Sequence, residues 1–193
     1  MKVNEIFYSL QGEGRRAGEA SIFIRLSGCD LSCSFCDTEF ETGKEFSSAE
    51  LLETIQQLST ECKWVVWTGG EPMLQLDRDT VDLFRASGFK QALETNGNHR
   101  VPFSVEWLAV SPKVAEHVLA RNFLRGVDEV RYAWHAGKTT IPKTKLKASH
   151  YYLSPIFDGT TPILENVKHC IKLCLKNPSW KVSTQQHKQW SIL

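Results

Sequence analysis

Apolar positions along this chain change their spacing from segment to segment, and the spacing predicts the elements. Residues 21–27 (Ser21, Ile22, Phe23, Ile24, Arg25, Leu26, Ser27) form a short, almost unbroken apolar run, the pattern of a buried strand. Comparable β-rich runs follow at 63–67, 92–95, 107–110, 128–132 and 151–153, while the mixed stretch 3–10 reads as an edge strand. Helical spacing takes over in between. Leu51, Leu52, Ile55 and Leu58 recur at that spacing behind Ser47–Ser48–Ala49–Glu50, an S-x-x-E capping box, and predict a helix over 48–59. Asp77 or Asp79 caps a second helix through Thr80, Val81, Leu83 and Phe84, closed by Gly88. A third runs over 162–176 on a stripe of Ile163, Leu164, Val167, Ile171, Cys174 and Leu175. Residues 136–149, with Lys138, Lys143, Lys145 and Lys147, read as a solvated connection.

Polar or glycine-bearing loops follow strand after strand, at 28–46, 68–77, 95–98 and 111–113. Parallel βα units produce that alternation and hold their ligands at one end of the sheet. Too few units exist to close eight strands. The expected fold class is therefore α/β, a partial (β/α) barrel of about six mainly parallel strands with few helices, in one domain over residues 1–193. An open barrel leaves a broad mouth, so a homodimer is expected.

Composition narrows the setting. A hydrophobic share of 41% and a charged share of 23% describe an ordinary globular chain. The net charge of +1 offers no electrostatic case for nucleic acid, whose binders carry a clear basic excess. Membrane spans need ~20 apolar residues in a row, and no run here approaches that. Residues 1–5 lack the apolar core of a signal peptide. The expected address is the cytoplasm. Its reducing conditions, and the clustering of the cysteines, argue against a disulfide framework.

That clustering carries the chemistry. Cys29, Cys33 and Cys36 stand at C-x3-C-x2-C spacing in a polar loop directly after the 21–27 run. Thiolates so placed can converge as soft ligands for an iron–sulfur cluster or zinc. A structural zinc site or an electron-transfer cluster normally uses four protein ligands. Three ligands on a four-iron cluster leave one iron open, as a reactive site requires. A zinc-binding or electron-carrying module would need a fourth ligand, with Asp37 and Cys62 as candidates. Cys170 and Cys174, four apart on the last helix, read as core residues. Upstream, Gln11 and Glu13 are set between Gly12 and Gly14 and offer an amide and a carboxylate. Thr68–Gly69–Gly70–Glu71–Pro72 follows the 63–67 run and exposes backbone groups where the cysteines also lie, at a strand's C-terminal end.

The cysteine spacing resembles that of the radical S-adenosylmethionine enzymes, and the resemblance extends motif by motif. Gly69–Gly70–Glu71–Pro72 resembles their GGEP segment. Glu94–Thr95–Asn96–Gly97 and Ser111–Pro112–Lys113 resemble the segments that hold the rest of the cofactor. Ser9–Leu10–Gln11–Gly12–Glu13–Gly14, the 22–26 run, Cys36–Asp37–Thr38 and Ser183–Thr184–Gln185–Gln186–His187–Lys188 are similar to the 7-carboxy-7-deazaguanine synthase family within that superfamily. Three features depart from its pattern: Ser154–Pro155 where Gln-Pro is usual, the ending Trp190–Ser191–Ile192–Leu193, and residues 114–149, which lack an assignable counterpart.

The resemblance implies the radical S-adenosylmethionine barrel type and a ring contraction of 6-carboxy-5,6,7,8-tetrahydropterin to 7-carboxy-7-deazaguanine with loss of ammonia, in queuosine and related deazapurine biosynthesis. It implies a [4Fe-4S] cluster on Cys29, Cys33 and Cys36, whose electron cleaves S-adenosylmethionine to methionine and a 5′-deoxyadenosyl radical. An electron donor such as flavodoxin or ferredoxin is implied as partner. Mg²⁺ would sit on Thr38 and meet the substrate carboxylate, since hard cations prefer oxygen, with Arg25 pairing to the same group. Leu10, Gln11, Gly12, Thr68 and His187 would complete the pterin site. Gly70, Glu94, Asn96, Ser111, Pro112 and Lys113 would hold S-adenosylmethionine. Another expectation keeps the cofactor and changes the target: an activating enzyme that places a glycyl radical on a partner protein.

Overall fold

The structure is a computed structural model describing residues 1–36 and 38–193. The chain opens with β1 (Lys2–Leu10) and β2 (Ala20–Leu26), an antiparallel pair. After the cysteine loop come the short β3 (Lys44–Glu45) and helix α1 (Ser48–Leu58). Then follow β4 (Trp64–Gly69), α2 (Arg78–Ala86), β5 (Lys90–Thr95) and β6 (Trp107–Val110). The second half holds α3 (Glu116–Asn122), β7 (Val127–Trp134), β8 (Ala148–Pro155), the small hairpin β9 (Phe157–Asp158) and β10 (Thr161–Pro162), α4 (Leu164–Lys176), β11 (Trp180–Val182) and α5 (Gln186–Trp190). Among the described residues, one nine-stranded sheet runs in the order β11-β8-β7-β6-β5-β4-β2-β1-β3. Every neighbouring pair from β2 to β11 is parallel, so the loops after these strands all emerge at one end.

The predicted helices are present with their caps. Ser47 and Glu50 bond reciprocally in a capping box, and Asp77, rather than Asp79, receives the Thr80 N–H at 2.8 Å. These helices cover one face of the sheet. Ile22, Ile24 and Leu26 of β2, Val65 and Trp67 of β4 and Leu93 of β5 pack there with Leu51, Ile55, Val81 and Phe84. Burial of each such side chain contributes about 1.5–3 kcal/mol. The Trp67 indole N–H, fully buried, donates to Gln91 Oε1 at 2.9 Å, and Gln91 Nε2 donates on to the Val81 carbonyl, so the core leaves these polar groups satisfied.

The other face is covered by the chain itself. Phe7, Phe23, Val66 and Ala92 form an inner apolar floor. Over it the 11–17 segment reaches β7 and the end of β11: Arg15 N–H bonds Glu129 and Gly14 N–H bonds Ser183. Gln186 N–H closes back on the Gly12 carbonyl at 3.0 Å. Six parallel strands were expected and seven are observed, because β11 docks beside β8. Its three residues, only one of them buried, carry too little apolar pattern to be read as a strand. Within 114–149 the expected strand at 128–132 is present and extends over Val127–Trp134, and helix α3 precedes it, which the sequence did not predict. Residues 135–147 contain neither helix nor strand. Among the described residues no helix is long and apolar enough to cross a membrane.

Candidate active site

β2 ends at Leu26, and the chain turns through Gly28, whose φ of +84° lies in the left-handed region open to glycine. The cysteine loop follows. Cys29, Cys33 and Cys36 face one cavity of about 440 Å³, and the Cys36 N–H bonds the Cys33 carbonyl at 3.0 Å. Burial pushes the Cys29 thiol above its usual value, opposed by the Leu31 backbone N–H. Asp30 is the loop's anchor: its carboxylate accepts from Asn96 Nδ2 at 3.0 Å and Asn98 Nδ2 at 2.6 Å, and it lies 2.8 Å from His99 Nε2. Burial works against its charge, but these donors outweigh it and hold the carboxyl below the ordinary aspartate range.

The loop after β4 meets the cysteine loop edge to edge. Gly70 N–H bonds the Leu26 carbonyl and Glu71 N–H the Gly28 carbonyl, at 2.9 and 2.8 Å. A Cβ on residue 70 would collide with the Gly28 carbonyl, so only glycine permits this approach. Glu71, fully buried, accepts from Met73 N–H, Thr95 Oγ1 and Asn96 N–H at 3.0, 2.8 and 2.7 Å. Burial raises its pKa, and these bonds pull against it. After β6, Ser111 N–H and Lys113 N–H bond the carbonyls of Thr95 and Asn96. Lys113 Nζ reaches Ser111 Oγ at 2.6 Å, and burial lowers its pKa. Successive strand ends are thus laced together by hydrogen bonds along one wall.

Below this wall lies a buried charged network. Arg131 of β7 reaches Glu94 at 2.6 Å, Glu13 at 3.1 Å and Glu129 at 3.1 Å. Glu94 also accepts from Gln11 Nε2 and Thr68 Oγ1, at 3.1 and 3.0 Å. Burial opposes the Arg131 charge, yet the carboxylates outweigh it and raise its pKa. Burial likewise opposes ionisation of Glu94, and Arg131 nevertheless holds that carboxyl below its usual value. Burial wins at Glu129, which is pushed up.

The sequence-predicted residues divide accordingly. The three cysteines, Thr38, Thr68, Gly70, Glu94, Asn96, Ser111 and Lys113 all line the cavity. Glu94, expected with the cofactor segment, shares its hydrogen bonds with Gln11 and Thr68. Gly12 lies against the His187 ring, and Gln11 is buried; these three sit beside the cavity. Arg25 is in register with Thr68 one strand away and pairs with Glu5 at 3.3 Å. Leu10 is 38% exposed, at the outer end of β1. Pro112 connects Ser111 to Lys113 without lining the cavity. Cys62 is buried at the start of β4, with Sγ near the carbonyls of Ala20 and Trp64. That position is the opposite end of the strand, so Cys62 supplies no fourth ligand. Asp37 lies outside the described residues.

Sequence reasoning did not single out Asp30, Asn98, His99, Glu129 and Arg131. For the last two a signal existed: Glu129 and Arg131 alternate with Val130 and Tyr132, so a β-strand places both charges on one face. Ser154, at the position that departs from the family's Gln-Pro, has a buried hydroxyl with no hydrogen-bond partner among the described residues, and it lines the cavity.

The donor set suits an iron–sulfur cluster. Among the described residues no three metal-ligating side chains converge where a single ion would sit. A four-iron cluster normally takes four thiolates, and one that keeps an iron open for a cofactor takes three, which the three cysteines lining this cavity would supply. A sheet of parallel strands with a three-cysteine loop after β2 and a glycine-rich loop after β4 defines a class, the radical S-adenosylmethionine enzymes, and residues 23–119 match the Radical SAM superfamily model. Membership in that superfamily implies a [4Fe-4S] cluster and S-adenosylmethionine.

Relatives refine this. The chain is 40% identical over 215 residues to the 7-carboxy-7-deazaguanine synthase of Burkholderia multivorans, covering 98% of both chains. It is 35% identical over 187 residues to that of Bacteroides thetaiotaomicron, covering 97% of this chain and 96% of the relative. The crystal structure of QueE from Escherichia coli superposes with a TM-score of 0.73 at 27% identity, over 96% of this chain and 94% of that one. The chain belongs to the 7-carboxy-7-deazaguanine synthase family.

Proposed function

We propose that this chain converts 6-carboxy-5,6,7,8-tetrahydropterin to 7-carboxy-7-deazaguanine and ammonia. The observation that carries the reading is near-full-length similarity to enzymes of that name, joined to a cavity in which the cysteine loop faces Thr68 and Glu94. When bound, the cluster and S-adenosylmethionine supply the radical that starts the rearrangement; that chemistry is the cofactor's. The chain's own residues bind, orient and exclude water. Gln11 and Thr68, each donating to the Glu94 carboxylate, offer with it donors and acceptors to the pyrimidine edge of a pterin. Leu10, Gly12 and His187 complete that side. Arg25 and a Mg²⁺ ion on Thr38 take the substrate carboxylate. Gly70, Asn96, Ser111, Pro112 and Lys113 hold S-adenosylmethionine.

The reaction loses ammonia without net oxidation or reduction, so the donated electron acts catalytically. A small one-electron carrier of the flavodoxin or ferredoxin kind supplies it, in a cytoplasmic setting, and the working form is a homodimer. Anaerobic incubation of the reduced protein with the pterin and S-adenosylmethionine tests the reading. Deazaguanine and ammonia in equal amounts are expected. Cleavage of S-adenosylmethionine without deazaguanine would instead favour an enzyme that places a glycyl radical on a partner protein.

A further inference from the structure

Between Cys29 and Cys36 the chain is long, polar and sparsely tied. The Cys36 N–H to Cys33 carbonyl hydrogen bond is internal to the loop. Among the described residues, Asp30 is the one side chain of this stretch whose hydrogen bonds leave the loop. One of its oxygens accepts from Asn96 Nδ2, the other from Asn98 Nδ2, with His99 Nε2 2.8 Å from the same oxygen. Its side chain is 21% exposed, and the three contacts lie on the solvent-exposed side of the loop.

The far side of the clamp is firmly built. Asn98 N–H bonds Asn96 Oδ1 at 2.8 Å. Asn122 of α3 donates to the carbonyls of Gly97 and Asn98, at 3.1 and 2.8 Å. Asn96 N–H is held by Glu71, whose own N–H bonds Gly28 at the root of the cysteine loop. The circuit therefore runs from the cysteine loop to the loop after β5, on to the loop after β4, and back. Removing Asp30 opens this circuit while leaving all three thiols in place.

We propose that Asp30 is a positioning residue: by clamping the cysteine loop to Asn96, Asn98 and His99, it sets the cluster's place relative to the loops that hold S-adenosylmethionine. This rests on the radical S-adenosylmethionine reading above. Its physical basis is alignment, because a displacement of about 1 Å in a reacting pair can cost about a hundredfold in rate. A loop free to shift would still ligate iron, but it would present the open iron poorly to the cofactor.

The test compares wild type, Asp30→Ala and Asp30→Asn after anaerobic reconstitution, reading iron content and the electron paramagnetic resonance spectrum of the reduced protein during titration with S-adenosylmethionine. Asp30→Ala is expected to bind as much iron as wild type. Its cofactor-dependent spectral change should need about tenfold more S-adenosylmethionine, and more 5′-deoxyadenosine should form per product molecule. Asp30→Asn, which keeps one acceptor oxygen, should fall between. A titration of Asp30→Ala that superimposes on wild type overturns the proposal. If Asp30→Ala fails to hold iron, the double variant Asn98→Ala/His99→Ala replaces it, since it removes two clamp partners without touching the loop. The same displaced titration is expected there, and an unchanged one overturns the proposal. Absence of any cofactor-dependent change in wild type would mean that the underlying reading itself is wrong.

Discussion

A hydroxyl and a missing methyl group show how much single atoms decide in this site. Thr38 lines the cavity two residues beyond Cys36, and the Mg²⁺ role proposed for its hydroxyl can be tested by removing it. Thr38→Ala should lower the response of turnover to added Mg²⁺ while iron content stays unchanged; an identical Mg²⁺ titration would remove Thr38 from that role. Gly70 makes the opposite point. Its Cα faces the Gly28 carbonyl with no room for a Cβ, so Gly70→Ala must push apart the two loops that carry the chemistry. Overpacking of this sort costs about 1–3 kcal/mol. A urea titration should show a loss in that range, together with weakened binding of S-adenosylmethionine. The GGEP motif was legible in the sequence, but its reason was not, because Gly28 lies forty-two residues earlier in the chain.

Elements were read best where a local rule made them. The capping box at Ser47 and Glu50 and the Asp77 cap of α2 involve only neighbours within three residues; the first stands as the sequence predicts, and the second settles a choice the sequence left between Asp77 and Asp79. Asp77 allows a test with a defined sign. The Thr80 backbone N–H holds its carboxyl below the ordinary aspartate value. The resulting stabilisation is therefore present above the unfolded pKa and lost as the pH falls through the folded one. Asp77→Ala should cost about 1 kcal/mol at neutral pH, and the gap to wild type should close on acidification in thermal melts followed by circular dichroism. α3 and β11 were missed for a matching reason. Ala115 makes no side-chain cap for α3, and β11 is held by its neighbour β8 rather than by its own pattern.

At the scale of the whole molecule, Arg131 joins β7 to β5 through Glu94 and to the 11–17 segment through Glu13, across sequence separations of 37 and 118 residues. Removing one member of a buried ionic network strands the others and costs about 3–5 kcal/mol. Arg131→Met should lower the urea midpoint accordingly. Adding Glu94→Gln should recover part of the loss, since one stranded charge is then gone, and a double-mutant cycle reads that coupling. Burial opposes the Glu94 charge, but Arg131 keeps its pKa below the usual glutamate value. Its stabilisation accordingly holds above the unfolded pKa and disappears as the pH falls through the folded one. In Glu94→Gln that part of the acid sensitivity should be absent.

The amino-acid order alone determined the alternation of strand and helix, two helix starts, the three-cysteine loop and the glycine-rich loop after β4. Each depends on residues a few positions apart, where sterics, capping and thiolate chemistry act locally. Tertiary structure alone decided that Asp30 is clamped by Asn96, Asn98 and His99, that Arg131 gathers Glu13, Glu94 and Glu129, and that Cys62 lies at the wrong end of its strand to join the cluster. Those facts depend on which strands become neighbours, and a parallel sheet pairs segments far apart in sequence whose partners no local pattern can name.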